Sequence, residues 1–465
     1  MRTVLAISTY GVPDPTTGVE PLIAKAEQSS RLLDPIALKY LPLTPTPARP
    51  LAWDPPFVTR DCGRRLRDAL SGHPGIKPVL EHLAGLGLAN SEPLYFRVDL
   101  GEVEAIPWET LCNAKDQFMA LDARSPMGRI SASANGSGGA PRRLPPTLRL
   151  LAVIAAYGIA GQHNEWRMLK KAVAEARDAG LSIEVRVLTG DPATISAVAA
   201  DIDAGMPGVS LSGVASKRSV VAQDIIAFAP HVLHVFAHGS PGSDDVDQAL
   251  ELATASDIST TRGQGSVRLL VDDIIGMARL LPDPWLLTLN CCHGANGGGK
   301  VLSIAHQAVT FGFAASIAMV DPIGARDAHA FGEALYRSLF RDLRAAAVEL
   351  EKGPVGTTIE FELAPCVREG RAAIHEANEA DHEGEDGGSH EWAVPVLYVQ
   401  SIDPMRIVHS PAALTDKQRS AVDVVVAWLK LVRATLDEAG RLQVMTTMLA
   451  EVPKAAWPDV NGEFQ

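Results

Sequence analysis

Between Pro146 and Val399 the apolar positions keep switching rhythm. Leu148–Ile154 is a short apolar run of strand length. Trp166, Leu169 and Val173 then share one helical face, with Asn164 placed to cap the helix and Gly180 near its end. Ile183, Val185 and Val187 alternate as a strand does, and Ile195, Val198 and Ile202 return to helical spacing. Pro230 closes a further helix, Val232–Ala237 reads as a buried strand, and Leu250 to Leu270 is polar and hairpin-like. A helix over 271–281, a strand over 285–289, a helix over 301–311 and a strand over 314–320 follow. A helix over 326–350 and a strand over 394–399 complete the series. Strands separated by helices predict an α/β fold with a mostly parallel sheet covered on both faces. In such sheets, functional groups gather at the carboxyl ends of the strands.

The flanks read differently. Thr3–Ile7 is strand-like, and residues 1–130 hold strand and helical pieces of their own. Residues 131–146 are dense in Gly, Ser, Ala and Pro, which predicts a flexible linker and a domain boundary. Glu376 to Glu391, rich in Glu, Asp, Gly and His, reads as a long surface loop. Over 401–465 the pattern turns helical: Thr415 with Gln418 fits a capping box, and Val422, Val425, Leu429, Val432 and Leu436 keep helical spacing. The chain thus divides into an N-terminal α/β region (1–130), the linker (131–146), a central domain (147–400) and a helical tail (401–465).

Composition narrows the class of protein. The 465 residues are 46% hydrophobic and 21% charged, an ordinary globular balance. The net charge of −13 comes with no basic patch, which argues against a nucleic-acid partner. No window approaches the ~20 apolar residues of a membrane span, and the first residues lack the pattern of a signal peptide, so the expected location is the cytoplasm. Five cysteines, odd in number and including the adjacent pair Cys291 and Cys292, do not form a disulfide framework.

Two strand ends hold reactive side chains. One runs Phe236-Ala237-His238-Gly239, the other Asn290-Cys291-Cys292-His293-Gly294. His238 and Cys292, 54 residues apart, end consecutive strands of the α/β series. If those strands are neighbours, both side chains enter one cleft, and an imidazole there lowers the pKa of a thiol nucleophile. Gly239 lets backbone N–H groups approach a substrate, and its N–H with that of Cys292 suits an oxyanion hole. Cys291 and Cys292 face opposite sides on a strand's two-residue alternation, so one of them at most faces His238. Taken singly, a strand-end Cys is more often a small core residue and a lone His a satisfied core histidine. The pairing and the flanking glycines bring the catalytic reading level with the inert one. Contiguous Cys291, Cys292 and His293 suit no tetrahedral zinc site, and His375, His382 and His390 in the acidic stretch read as solvated, so neither metal nor cofactor is expected. Gly294 to Lys300 lacks the spacing of a phosphate-binding loop.

The segment from about Leu148 to Tyr398 resembles the CHAT family, caspase-like peptidases related to separase and more distantly to caspases and metacaspases. His231–Gly239 is similar to that family's histidine strand, with His238-Gly239 as its His-Gly motif and His234 as an upstream histidine facing away from the chemistry. Leu289-Asn-Cys-Cys292 is similar to its nucleophile strand, and Trp392 to Tyr398 to its last strand. The resemblance implies a caspase-like fold and a cysteine endopeptidase, with Cys292 as nucleophile and His238 as base. It further implies a protein or peptide substrate, an activating or inhibitory protein partner, and a role as a regulated effector in bacterial defence or cell death. It casts residues 1–130 as a pseudo-caspase-like partner region, the other reading being an extension of the core sheet. Asn290 stands where metacaspases have Asp, against an acidic pocket for Arg or Lys. Asn290 and Asp321 are the candidates for a specificity pocket. A catalytically silent scaffold, or acyl transfer by the same thiolate, are the competing readings.

Overall fold

The computed structural model describes residues 2–10, 21–43, 59–87, 89–98, 103–104, 106–131, 141–240, 249–260, 265–290, 300–354, 356–381, 390–409 and 427. The N-terminal region contains β1 (Thr3–Thr9), β2 (Leu22–Gln28), β3 (Leu41–Pro42), α1 (Thr59–Ser71), α2 (Lys77–Ala84), β4 (Leu94–Val98) and β5 (Met127–Ile130). Next come β6 (Arg142–Arg143), β7 (Leu148–Ile154), α3 (His163–Asp178), β8 (Ile183–Thr189), α4 (Pro192–Asp203), β9 (Val209–Gly213) and α5 (Arg218–Phe228). The middle continues with β10 (Val232–Phe236), β11 (His238–Ser240), β12 (Ala249–Leu252), α6 (Ala255–Thr260), β13 (Val267–Leu270), α7 (Val271–Leu280) and β14 (Leu286–Leu289). Last are α8 (Lys300–Phe311), β15 (Ala315–Met319), α9 (Ala325–Lys352), β16 (Thr358–Phe361), α10 (Ala364–Asp381), β17 (Pro395–Val399) and β18 (Met405–Val408).

Among the described residues one sheet of twelve strands runs in the order β3-β2-β1-β4-β5-β17-β15-β14-β10-β7-β8-β9. From β15 to β9 every neighbouring pair is parallel. Antiparallel pairing enters where β17 meets β15 and at the β1–β2–β3 edge. The α/β, mostly parallel sheet read from the alternation is therefore the architecture.

The unbroken apolar character of β7 and β10 follows from burial on both faces. Leu150, Ala152, Ile154, Val232 and Phe236 face a core shared with α3 and α9. Leu151, Val153, Leu233 and Val235 face the opposite core, against α5, α7 and α8. Two small antiparallel sheets, β11-β12-β13 and β16-β18-β6, flank the main one.

Several boundaries differ from those expected. Helix α3 starts at His163 with Gln162 at its N-cap, placing Asn164 inside the first turn. The acidic stretch that reads as a loop from Glu376 is helical to Asp381, because α10 continues through it. Cys366, Val367, Arg371, Ile374 and Asn378 supply its buried stripe, while Glu376 is exposed. His375 accordingly packs edge-on to Trp392, ring centres 5.9 Å apart, rather than lying in a solvated loop. Of the expected linker, Ser131 is buried and Arg142–Arg143 pair with β18, while 132–140 lie outside the described residues. The helical tail expected over 401–465 begins instead with β18, and its predicted helices lie outside the described residues apart from Ala427. Among the described residues no helix is long and apolar enough to cross a membrane.

Candidate active site

Strands β7, β10 and β14 are adjacent and parallel, so their carboxyl ends open at one place. The register pairs Val235 with Leu289, and the Asn290 N–H donates to the Val235 carbonyl at 2.9 Å. Ala155, just past β7, donates to the Phe236 carbonyl at 2.8 Å. Immediately beyond β10 the chain turns into β11, where His238 and Gly239 pair with Glu251 and Leu250 of β12. His238 is half-buried and Gly239 buried.

The His238 ring is oriented by the loop after β7. Its Nε2 lies 2.5 Å from the carbonyl oxygen of Tyr157. A carbonyl only accepts, so Nε2 carries a proton and Nδ1 is the basic nitrogen of the neutral ring. Tyr157 sits in a turn completed by Gly158, whose φ of +70° is a left-handed conformation that glycine adopts without steric cost.

His234 lies on the side of the sheet covered by α3 and α9, and meets a group that the sequence reading missed. Its Nε2 lies 2.8 Å from Glu165 Oε1, and its Nδ1 2.9 Å from the Tyr336 hydroxyl. His329 Nε2 is 3.0 Å from the second oxygen, Oε2. Asn290 Nδ2 donates to Glu165 Oε1 at 2.6 Å and to the Ala328 carbonyl at 3.3 Å. Burial alone pushes the Glu165 carboxyl up, but hydrogen bonds from His234 and His329, and their charge, outweigh it and hold the group at about 2. Desolvation pushes the Tyr336 hydroxyl well above its usual range. The signal for Glu165 was present in the sequence: with Trp166, Leu169 and Val173 it lies on the buried face of α3, where an acidic residue requires partners.

Of the expected site residues, His238 and Gly239 sit together at the sheet end. Asn290 reaches the same end through its backbone, but its side chain has no exposed surface and is committed to Glu165 and Ala328, so it links interior elements instead of lining an open pocket. Asp321 follows β15, the strand next to β14, is about a quarter exposed, and lies 3.5 Å from His390 Nε2. Cys292, with Cys291 and His293, lies outside the described residues. Cys112 and Cys366 are buried; desolvation pushes the Cys112 thiol up to about 11 and that of Cys366 higher still, which disqualifies both as nucleophiles. Among the described residues no group of three or more His, Cys, Asp or Glu side chains is arranged to hold a metal ion.

A large, mostly parallel sheet covered on both faces is the architecture of a caspase-like α/β protein. The CHAT domain family matches residues 60–351, more than half of the chain, and the protein belongs to that family of caspase-like peptidases. The match runs across the 131–146 segment, starting well inside the N-terminal region. No curated protein matches the chain.

Proposed function

We propose that the protein is a cysteine endopeptidase in which Cys292 and His238 form the catalytic dyad. The observation that carries this reading is the orientation of His238: its Nε2–H is held by the Tyr157 carbonyl, which presents Nδ1 as the base. Covalent geometry supports the partner, since two peptide units separate Cys292 from Asn290, or at most about 8 Å of chain. Nδ1 takes the thiol proton, the thiolate attacks the peptide carbonyl, and the proton passes to the leaving amine. Water then hydrolyses the thioester with the same ring as base, regenerating the thiol. The N–H groups of Gly239 and Cys292 are the donors for the oxyanion. Asp321, part-exposed on the neighbouring strand end, is the candidate for the specificity pocket.

The test is a peptide-library cleavage profile with single variants. Cys292→Ala abolishes cleavage without unfolding the protein, Cys291→Ala preserves most of it, and His238→Ala lowers turnover by about 10²-fold or more. Cleavage by the Cys292→Ala protein at the parental rate would remove the nucleophile assignment. No labelling of the parent by thiol-reactive peptides would favour the silent scaffold.

A further inference from the structure

Three elements bring a side chain to one carboxylate, and that carboxylate accepts from the last described residue before Cys292. His234 comes from β10, His329 from the first turn of α9, and Asn290 from the end of β14. Glu165 itself stands in the first turn of α3. We infer that Glu165 is a positioning residue for the nucleophile, fixing through Asn290 the point at which the chain leaves the sheet toward Cys292. The inference rests on the dyad reading above.

The geometry goes beyond what packing requires. Burying a carboxylate costs several kcal/mol, and an apolar side chain of similar volume fills such a site as well or better. What the carboxylate adds is direction. Asn290 Nδ2 spends one hydrogen on Glu165 and the other on the Ala328 carbonyl, so its amide plane is fixed relative to both α3 and α9. Its backbone is fixed to β10 through Val235, in the strand that leads to His238. One residue therefore ties the nucleophile's chain to the strand that leads to the base. In a reaction where a misplacement of about 1 Å costs about 10²-fold, that link is a rate determinant.

The full-length Asn290→Leu protein keeps the side-chain volume and removes both bonds, while Glu165→Gln keeps one acceptor and removes the charge. In each we expect kcat to fall roughly tenfold or more and KM to stay within about twofold. Alkylation of Cys292, followed by peptide mass spectrometry at several pH values, slows in parallel. The double variant is no slower than the slower single one, because both act through one link. A folded Asn290→Leu protein with parental kcat and alkylation, or losses that simply multiply in the double variant, would overturn the inference. Should Asn290→Leu fail to fold, Glu165→Gln alone decides on the same readings. Rapid Cys292 alkylation in the parent with unchanged variants defeats the positioning role and leaves the dyad intact. A parental Cys292 no more reactive than an ordinary thiol defeats both.

Discussion

A carboxylate with no exposed surface stays ionised only if its neighbours hold it so, and Glu165 shows how. Its oxygens meet the Nε2 atoms of His234 and His329 and the amide of Asn290, with Tyr336 completing the coordination of His234. Because the folded protein lowers this group from 4.5 to about 2, the stability it contributes is fully present above about pH 4.5 and disappears as pH falls through about 2. Glu165→Gln should therefore be clearly less stable than the parent at pH 6, by a few kcal/mol, with the gap closing by pH 2.5. Urea titrations at the two pH values measure it; a constant gap would show that the charge contributes nothing. At this scale the sequence was partly legible. The place of His238 at a strand end, before a glycine, could be read directly, because the buried run of β10 stops just short of it. The partnership of Glu165 with Asn290 could not, because it joins residues 125 apart whose meeting depends on how α3 docks on the sheet.

Among the elements, the strands were the easiest to read and the packing of loops around them the hardest. β7, β10, β14 and β15 are buried on both faces, so their apolar runs stand out whatever surrounds them. β9 escaped notice because Val209–Gly213 is a half-exposed edge strand with Ser at alternate positions. The segment past β12 was legible only as a polar hairpin, yet it is pinned at several points beside the site. Ala253 donates to the Ala155 carbonyl at 2.8 Å, and Asp257 Oδ2 accepts from the Thr254 and Ser266 N–H and hydroxyl groups. Gly190, after β8, presses against this backbone: a Cβ there would come within 2.5 Å of the Thr254 carbonyl carbon and 2.6 Å of Ala255 N. Neither atom belongs to a side chain that can swing aside. Gly190→Ala should cost about 1–3 kcal/mol, the usual range for overpacking, whereas Gly213→Ala, with open space around it, should change stability by less than about 0.5 kcal/mol. Thermal melts of the two variants compare them directly; equal melting temperatures would mean that the segment yields.

Over the whole molecule the dominant fact is the continuity of the sheet across the 131–146 segment. The composition of that segment announces a boundary, but pairing between strands distant in sequence carries no local signature, so the joining of the two regions was left open in the sequence. β5 pairs with β17 through Arg129 opposite Tyr398 and Ile130 opposite Val399. Side chains reinforce the seam: the Arg371 guanidinium donates to the carbonyls of Met127 and Pro395, and the Tyr398 hydroxyl to Glu104 at 2.9 Å. Arg129 and Glu109, both fully buried, form a paired fork beneath it, at 3.0 Å and 2.5 Å. Further along, Arg142 binds Asp283 and the Gly312 carbonyl, so the chain is held again where it re-enters the described structure. A cut between 132 and 140 leaves all these bonds in place, and a seam with a shared hydrophobic core has no reason to open. A site-specific protease sequence inserted after Gly136 should therefore give two bands on a denaturing gel but one peak on a native column. The alkylation rate of Cys292 should be unchanged by the cut. Elution of the fragments as separate species would mean that residues 1–130 are held to the rest mainly by the peptide chain.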